Sequence, residues 1–168
     1  MKREATTART IAAAVALGLT ATAVLAACDS DKPKAEGTPA IAADWGAAWK
    51  DSNPQHLAGL FTQDGARYSD HAFGRTYNGR DGIAQWAINT HQFVQGANIK
   101  VDNAFGTADQ VAISWTFTGQ LAGAPKPFSV PAVAVLKMRG KEIVTDDDYY
   151  NLADVLHQSG LPADLDLG

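Results

Sequence analysis

Apolar residues in this chain recur every three or four positions between residues 41 and 94, and every second position from residue 99 onward. The first period describes helices and the second describes strands. Ile41, Trp45 and Trp49, with Ala42 and Ala48, fall on one helical face. Ahead of them, Thr38-Pro39 reads as an N-cap followed by proline at the first helical position. Asn53-Pro54 repeats that start signal for a short helix carrying Leu57, Leu60 and Phe61. Asp64-Gly65 turns the chain into a short strand over 66–70, and Asn78-Gly79 makes a further turn. Asp81 is then placed to cap a third helix, in which Ile83, Trp86, Ala87, Thr90, Phe93 and Val94 share a face and Gly96 is suited to ending it.

The alternating half begins with Ile99, Val101 and Phe105 on one face of a strand, and Val111, Ile113, Trp115 and Phe117 on one face of the next. Phe128, Val130, Ala132, Ala134, Leu136 and Met138 extend the pattern along a third. Val133 and Val135 make the second face of that strand apolar as well, which predicts burial on both sides. Arg139-Gly140 turns the chain into a strand ending at Tyr150, and Asn151 is placed to cap a last helix with Leu152, Val155 and Leu156 inward and Gly160 at its end. Helices followed by a run of antiparallel strands give an α+β class: one strongly curved, mostly antiparallel sheet packed on N-terminal helices.

The first 27 residues do not belong to this pattern. Lys2, Arg3 and Arg9 precede an uncharged, Ala-rich run over 11–27, the layout of an export signal. Its end, Leu25-Ala-Ala-Cys28, resembles the lipobox of bacterial lipoproteins, in which the cysteine is acylated and becomes the mature N-terminus. Cys28 is the only cysteine of the chain. The expected organisation is a lipoprotein signal peptide over 1–27, a polar tether over 28–39, one domain over 40–162 and a tail over 163–168. The expected location is the cell membrane, facing outside the cytoplasm and held by lipid on Cys28. Asp29 resembles a signal for retention at the inner membrane in bacteria that have two. Without the signal the formal net charge goes from −4 to −6. That acidic balance argues against nucleic acid as a partner and leaves the lipid, rather than charge, as the membrane attachment.

The densest chemistry lies between Ala66 and Trp86, where Asp70, His71, Arg75, Arg80 and Asp81 crowd a strand-to-helix connection. Alternation puts Tyr68 and Asp70 on one face, and His71 on the other unless the strand has already ended. Asp70 is either a cavity-facing acid–base group or an acceptor for backbone N–H groups of the following turn. In Asp146-Asp147-Asp148 the outer two share a face that the middle one does not, and the sequence leaves open which set points inward. His56, His91 and His157 are scattered, and no ligand spacing for a metal is present.

The stretches WGAAWKDSNPQHLAGLFTQDGARYSD and GRTYNGRDGIAQW, with the ending DDDYYNLADVLHQSGL, resemble the nuclear transport factor 2-like superfamily, in particular its SnoaL-like domains. The resemblance covers roughly 41–161. It implies a conical fold enclosing an apolar pocket, no cofactor and no metal, and a homodimer formed through the outer sheet face. Relatives that are polyketide cyclases or ketosteroid isomerases use a carboxylate base in that pocket, and Asp70 matches its position, with His71, Asp146, Asp147 or Asp148 as the candidate acid–base partners. Trp45 and Val133 stand where the isomerases carry oxyanion donors, and Asn151 where many relatives carry Asp, so steroid isomerisation is not expected. Trp45, Trp49, Tyr68, Trp86, Trp115 and Tyr149 are the expected pocket lining. Three functions remain open: binding of a small apolar molecule, a cyclase-type enzyme with Asp70 as base, and a protein-interaction module.

Overall fold

The computed structural model describes residues 39–165. Cys28, the segment before it, the tether up to Thr38 and the last three residues lie outside the described residues. Helix α1 (Ala40–Lys50) buries Ala42, Trp45, Ala48 and Trp49, one face at helical spacing. Helix α2 (Pro54–Gly59) starts as its sequence predicts, with the Asn53 side chain accepting from the Gln55 N–H. Strand β1 (Arg67–Asp70) pairs with β2 (Arg75–Asn78), and α3 (Gly79–Phe93) follows directly. Strands β3 (Val94–Gly106), β4 (Gln110–Leu121), β5 (Phe128–Arg139) and β6 (Glu142–Tyr150) form a meander that ends in α4 (Leu152–Gln158). The class is α+β, with one six-stranded sheet ordered β2-β1-β6-β5-β4-β3.

Every pairing is antiparallel except β1 on β6, which is parallel, with Tyr68 opposite Asp146 and Asp70 opposite Asp148. That pairing joins the β1–β2 hairpin to the edge of the meander, so the two halves of the sequence meet at one strand boundary. The inner face carries Val111, Ile113, Trp115 and Phe117 from β4 and Phe128, Val130, Ala132, Ala134 and Leu136 from β5, all buried, as their alternation predicts. α1 and α3 cover this face, and no helix among the described residues is long and apolar enough to cross a membrane.

Several local expectations are corrected. Asp81 does not cap α3: Asn78 holds the cap position, and Asp81 lies in the first turn, where its charge faces the positive end of the helix. Gly96 does not end that helix, which stops at Phe93. Gly96 lies inside β3 at φ 60°, at a register shift between Gln95 and Asn98. A second shift, between Val101 and Asn103, reverses the faces beyond it, so Ala104 is buried and Phe105 is 63% exposed. The strand-to-helix connection contains a strand of its own, Arg75–Asn78. Val133 is 41% exposed, so β5 is covered on its inner face alone.

Candidate functional site

Strand alternation builds the site. In β1 the inward side chains are Tyr68 and Asp70, and the parallel register makes the inward set of β6 Asp146, Asp148 and Tyr150. Five polar groups therefore converge from two neighbouring strands onto the apolar face of the sheet. Beside them, β5 presents Ala134 opposite Asp148 and Ala132 opposite Tyr150, small residues that leave space. Above this floor is a cavity of about 200 Å³. α1 contributes Trp49, α3 contributes Trp86, Asn89, Thr90 and Phe93, and β4 contributes Trp115 and Phe117. Tyr68, Asp70, Phe73, Asp148 and Tyr150 complete the acidic and aromatic side, and Arg75 lies at the exposed edge.

Asp70 is 3% exposed and fully engaged. Oδ1 accepts from the Phe73 backbone N–H at 2.8 Å, and Oδ2 accepts from the Tyr150 hydroxyl at 2.8 Å. The two readings of this residue are thus compatible, because the carboxyl holds the turn and also lines the cavity. Desolvation raises its pKa, against the opposing pull of the Phe73 and Tyr150 hydrogen bonds. No salt bridge joins it to Arg75 or Arg80 among the described residues. Arg80 instead donates to the Phe61 carbonyl and pairs with Glu142 at 3.0 Å.

Asp146 and Asp148 form a second unit. Trp45 Nε1 donates to Asp146 Oδ2 at 2.7 Å, and the Tyr68 hydroxyl donates to Asp148 Oδ2. The remaining Oδ1 of each carboxyl has no N–H or O–H partner among the described residues. The two carboxyls lie two residues apart on the inward face of β6, both out of water. Two buried carboxylates repel, which favours a proton on the pair. Desolvation pushes Asp146 up to about 7. Desolvation, then the charge of Asp146, holds Asp148 well above the usual carboxylate range. Burial also raises Tyr68 and Tyr150, so both hydroxyls remain donors.

The structure separates the residues that the sequence grouped. Trp49, Tyr68, Trp86 and Trp115 line the cavity with Asp70. Trp45 does not: it packs edge-on against Trp49 and Trp115, behind the lining, with its N–H on Asp146. His71 and Tyr149 are corrections. Tyr149 is 47% exposed and stacks flat on His71 at 4.4 Å, while His71 Nε2 meets Asp147 at 2.9 Å, all on the outer face of the sheet. Asp147 also pairs with Arg67 at 3.1 Å. Counting by two from Asp148 reaches Tyr150, which shares its face; Tyr149 belongs with Asp147. The signal that decides the parity is the parallel pairing with β1, which local periodicity does not contain.

The SnoaL-like domain model matches residues 42–145. No curated protein sequence matches the chain. Among solved structures, a hypothetical protein of ketosteroid isomerase-like fold from Catenulispora acidiphila, in complex with trimethylamine, is 43% identical. That match covers 76% of this chain and 98% of that one, with a TM-score of 0.73. A putative SnoaL-like polyketide cyclase from Shewanella denitrificans is 17% identical over 70% of this chain and 93% of its own, with a TM-score of 0.59. A nuclear transport factor 2-like protein from Burkholderia thailandensis is 19% identical over 76% of this chain and 100% of its own, with a TM-score of 0.64. The cavity between curved sheet and helices, and the family match over most of the domain, lead to one conclusion: the chain belongs to the SnoaL-like domain family.

Proposed function

We propose that this domain is a small-molecule receptor whose cavity takes a methylated ammonium group, a cation with an apolar methyl surface, and that lipid on Cys28 holds it at the outer side of the cell membrane. The observation that carries the reading is the composition of the cavity: tryptophan, phenylalanine and tyrosine rings form its walls, and the carboxyls of Asp70 and Asp148 lie on its lining. Aromatic faces attract cations through their quadrupole, by about 0.5–2 kcal/mol per contact when water is excluded. Methyl groups on the nitrogen add apolar surface to bury. The 43%-identical relative in complex with trimethylamine supports the same ligand class.

The raised pKa values fit this use. An empty, dry cavity favours neutral carboxyls, and an arriving cation favours the ionised form, so binding releases a proton and tightens as pH rises. Calorimetric titration with choline and with its neutral isostere 3,3-dimethylbutan-1-ol tests the reading. Choline is expected to bind about tenfold more tightly or better, with an advantage that grows as pH rises. Equal binding of the two would leave a merely apolar pocket and reject the ammonium reading.

A second reading, general-base chemistry by Asp70, is favoured by one observation: the carboxyl is enclosed, raised in pKa and beside a hydroxyl donor, Tyr150. Deuterium wash-in next to the carbonyl of cyclohexanone, followed by NMR in D2O, tests it. Exchange at the buffer rate argues against it, and exchange lost in Asp70→Asn supports it.

A further inference from the structure

Charge is distributed unevenly along the cavity. Its two acids, Asp70 and Asp148, are 3% and 1% exposed, whereas its one basic lining residue, Arg75, is exposed at the rim. Arg75 stands directly across the β1–β2 ladder from Asp70 in register. Even so, no carboxylate pairs with its guanidinium among the described residues, although Arg67 and Arg80 both find acidic partners. Asn89, also on the lining, accepts from the Gln85 amide through Oδ1, which leaves its own amide N–H groups for other acceptors. The buried part thus offers negative charge and ring faces, while the exposed edge offers the positive charge and N–H donors of Arg75.

A simple cation meets Arg75 as a like charge on its way in. A molecule with a cationic head and an anionic tail meets complementary charge at both ends. We infer that the preferred ligand is a small zwitterion, a methylated ammonium joined by a short spacer to a carboxylate or similar anion, with Arg75 holding the anionic end. This rests on the ammonium reading of the cavity and adds to it the second charge and the residue that recognises it. Arginine suits this role because its planar fork matches a carboxylate by two N–H bonds. Since the pair forms at an exposed rim, its effect is modest. Arg75 also discriminates, by making cations without an anion poorer ligands.

The test compares tetramethylammonium with trimethylammonio-alkanoates carrying one, two or three methylenes between nitrogen and carboxylate, titrated by calorimetry into the intact protein and into Arg75→Gln. In the wild type the best-matched alkanoate is expected to bind about fivefold to tenfold more tightly than tetramethylammonium. Arg75→Gln should erase that advantage, leaving tetramethylammonium binding unchanged or slightly tighter. Opposite responses of the two probes cannot come from misfolding, which weakens both together. If tetramethylammonium binds and no alkanoate gains over it, or if Arg75→Gln weakens both equally, the zwitterion inference fails and the ammonium reading stands. If no probe binds at all, both are overturned.

Discussion

Replacing Asp146 with asparagine should make the protein more stable at pH 8, although it removes a fully buried, hydrogen-bonded side chain. The reason lies in the direction of the shift. Asp146 has a folded-state pKa of about 7 against 3.8 for the ordinary side chain. A group raised in this way contributes its full stability below the unfolded value, and loses it as pH rises through the folded one. Wild-type stability should therefore fall between about pH 4 and pH 7, by up to about 1.4 kcal/mol per pH unit for this proton. Across that window the loss is on the order of 4 kcal/mol as an upper bound. Asp148, also raised by burial, adds to the decline. Asp146→Asn abolishes the titration while keeping an amide oxygen for Trp45 Nε1 and offering an N–H toward Asp148. Urea unfolding by circular dichroism at pH 4.5, 6, 7 and 8 reads the effect. The expected result is a flattened profile for the variant, with a gain of about 1–4 kcal/mol at pH 8 and little change at pH 4.5. Asp51 and Asp102, whose pKa values are lowered, act below about pH 4 and leave this window undisturbed. Wild-type stability that rises from pH 5 to pH 8, or a variant weaker at every pH, would refute the account of Asp146 as a carboxyl raised by burial.

Other perturbations address the framework around the site. Trp45→Phe removes the only N–H donor on Asp146 among the described residues, and part of a fully buried ring, so thermal or urea unfolding should show a loss of about 2–4 kcal/mol. Gly46→Ala places a methyl 2.7 Å from Val101 Cγ2, where α1 meets β3, and overpacking there should cost about 1–3 kcal/mol in the same assay. Cys28→Ser should move the protein from the membrane to the soluble fraction; membrane association that survives the substitution would count against lipidation.

Much of this fold is legible in the sequence because its elements are locally specified. Trp45 and Trp49 share a helical face, and Asn53-Pro54 and Asn151 carry start signals that the backbone obeys. The strands of β4 and β5 alternate without interruption, so their inward residues are identified correctly. What local pattern does not contain is long-range register. Tyr150 and Asp148 enter the cavity because β6 lies parallel to β1, two strands separated by most of the domain. Tyr149, an aromatic in the same dipeptide, takes the outer face with His71 and Asp147 for the same reason. Phe105 fails differently: a bulge after Val101 reverses the alternation, and nothing in Lys100-Val101-Asp102-Asn103 announces the extra residue. Asp70 was recognisable in both its roles, since the residue that ends a strand before a turn is also the last to face the cavity.

The most direct measurement is a crystal structure of the protein grown with choline at millimolar concentration. The account predicts electron density for the trimethylammonium group inside the cavity, within about 6 Å of the ring centres of Trp86 and Trp115, with Asp70 or Asp148 as its nearest carboxyl. A cavity filled by water alone, with choline confined to the outer surface, would contradict it.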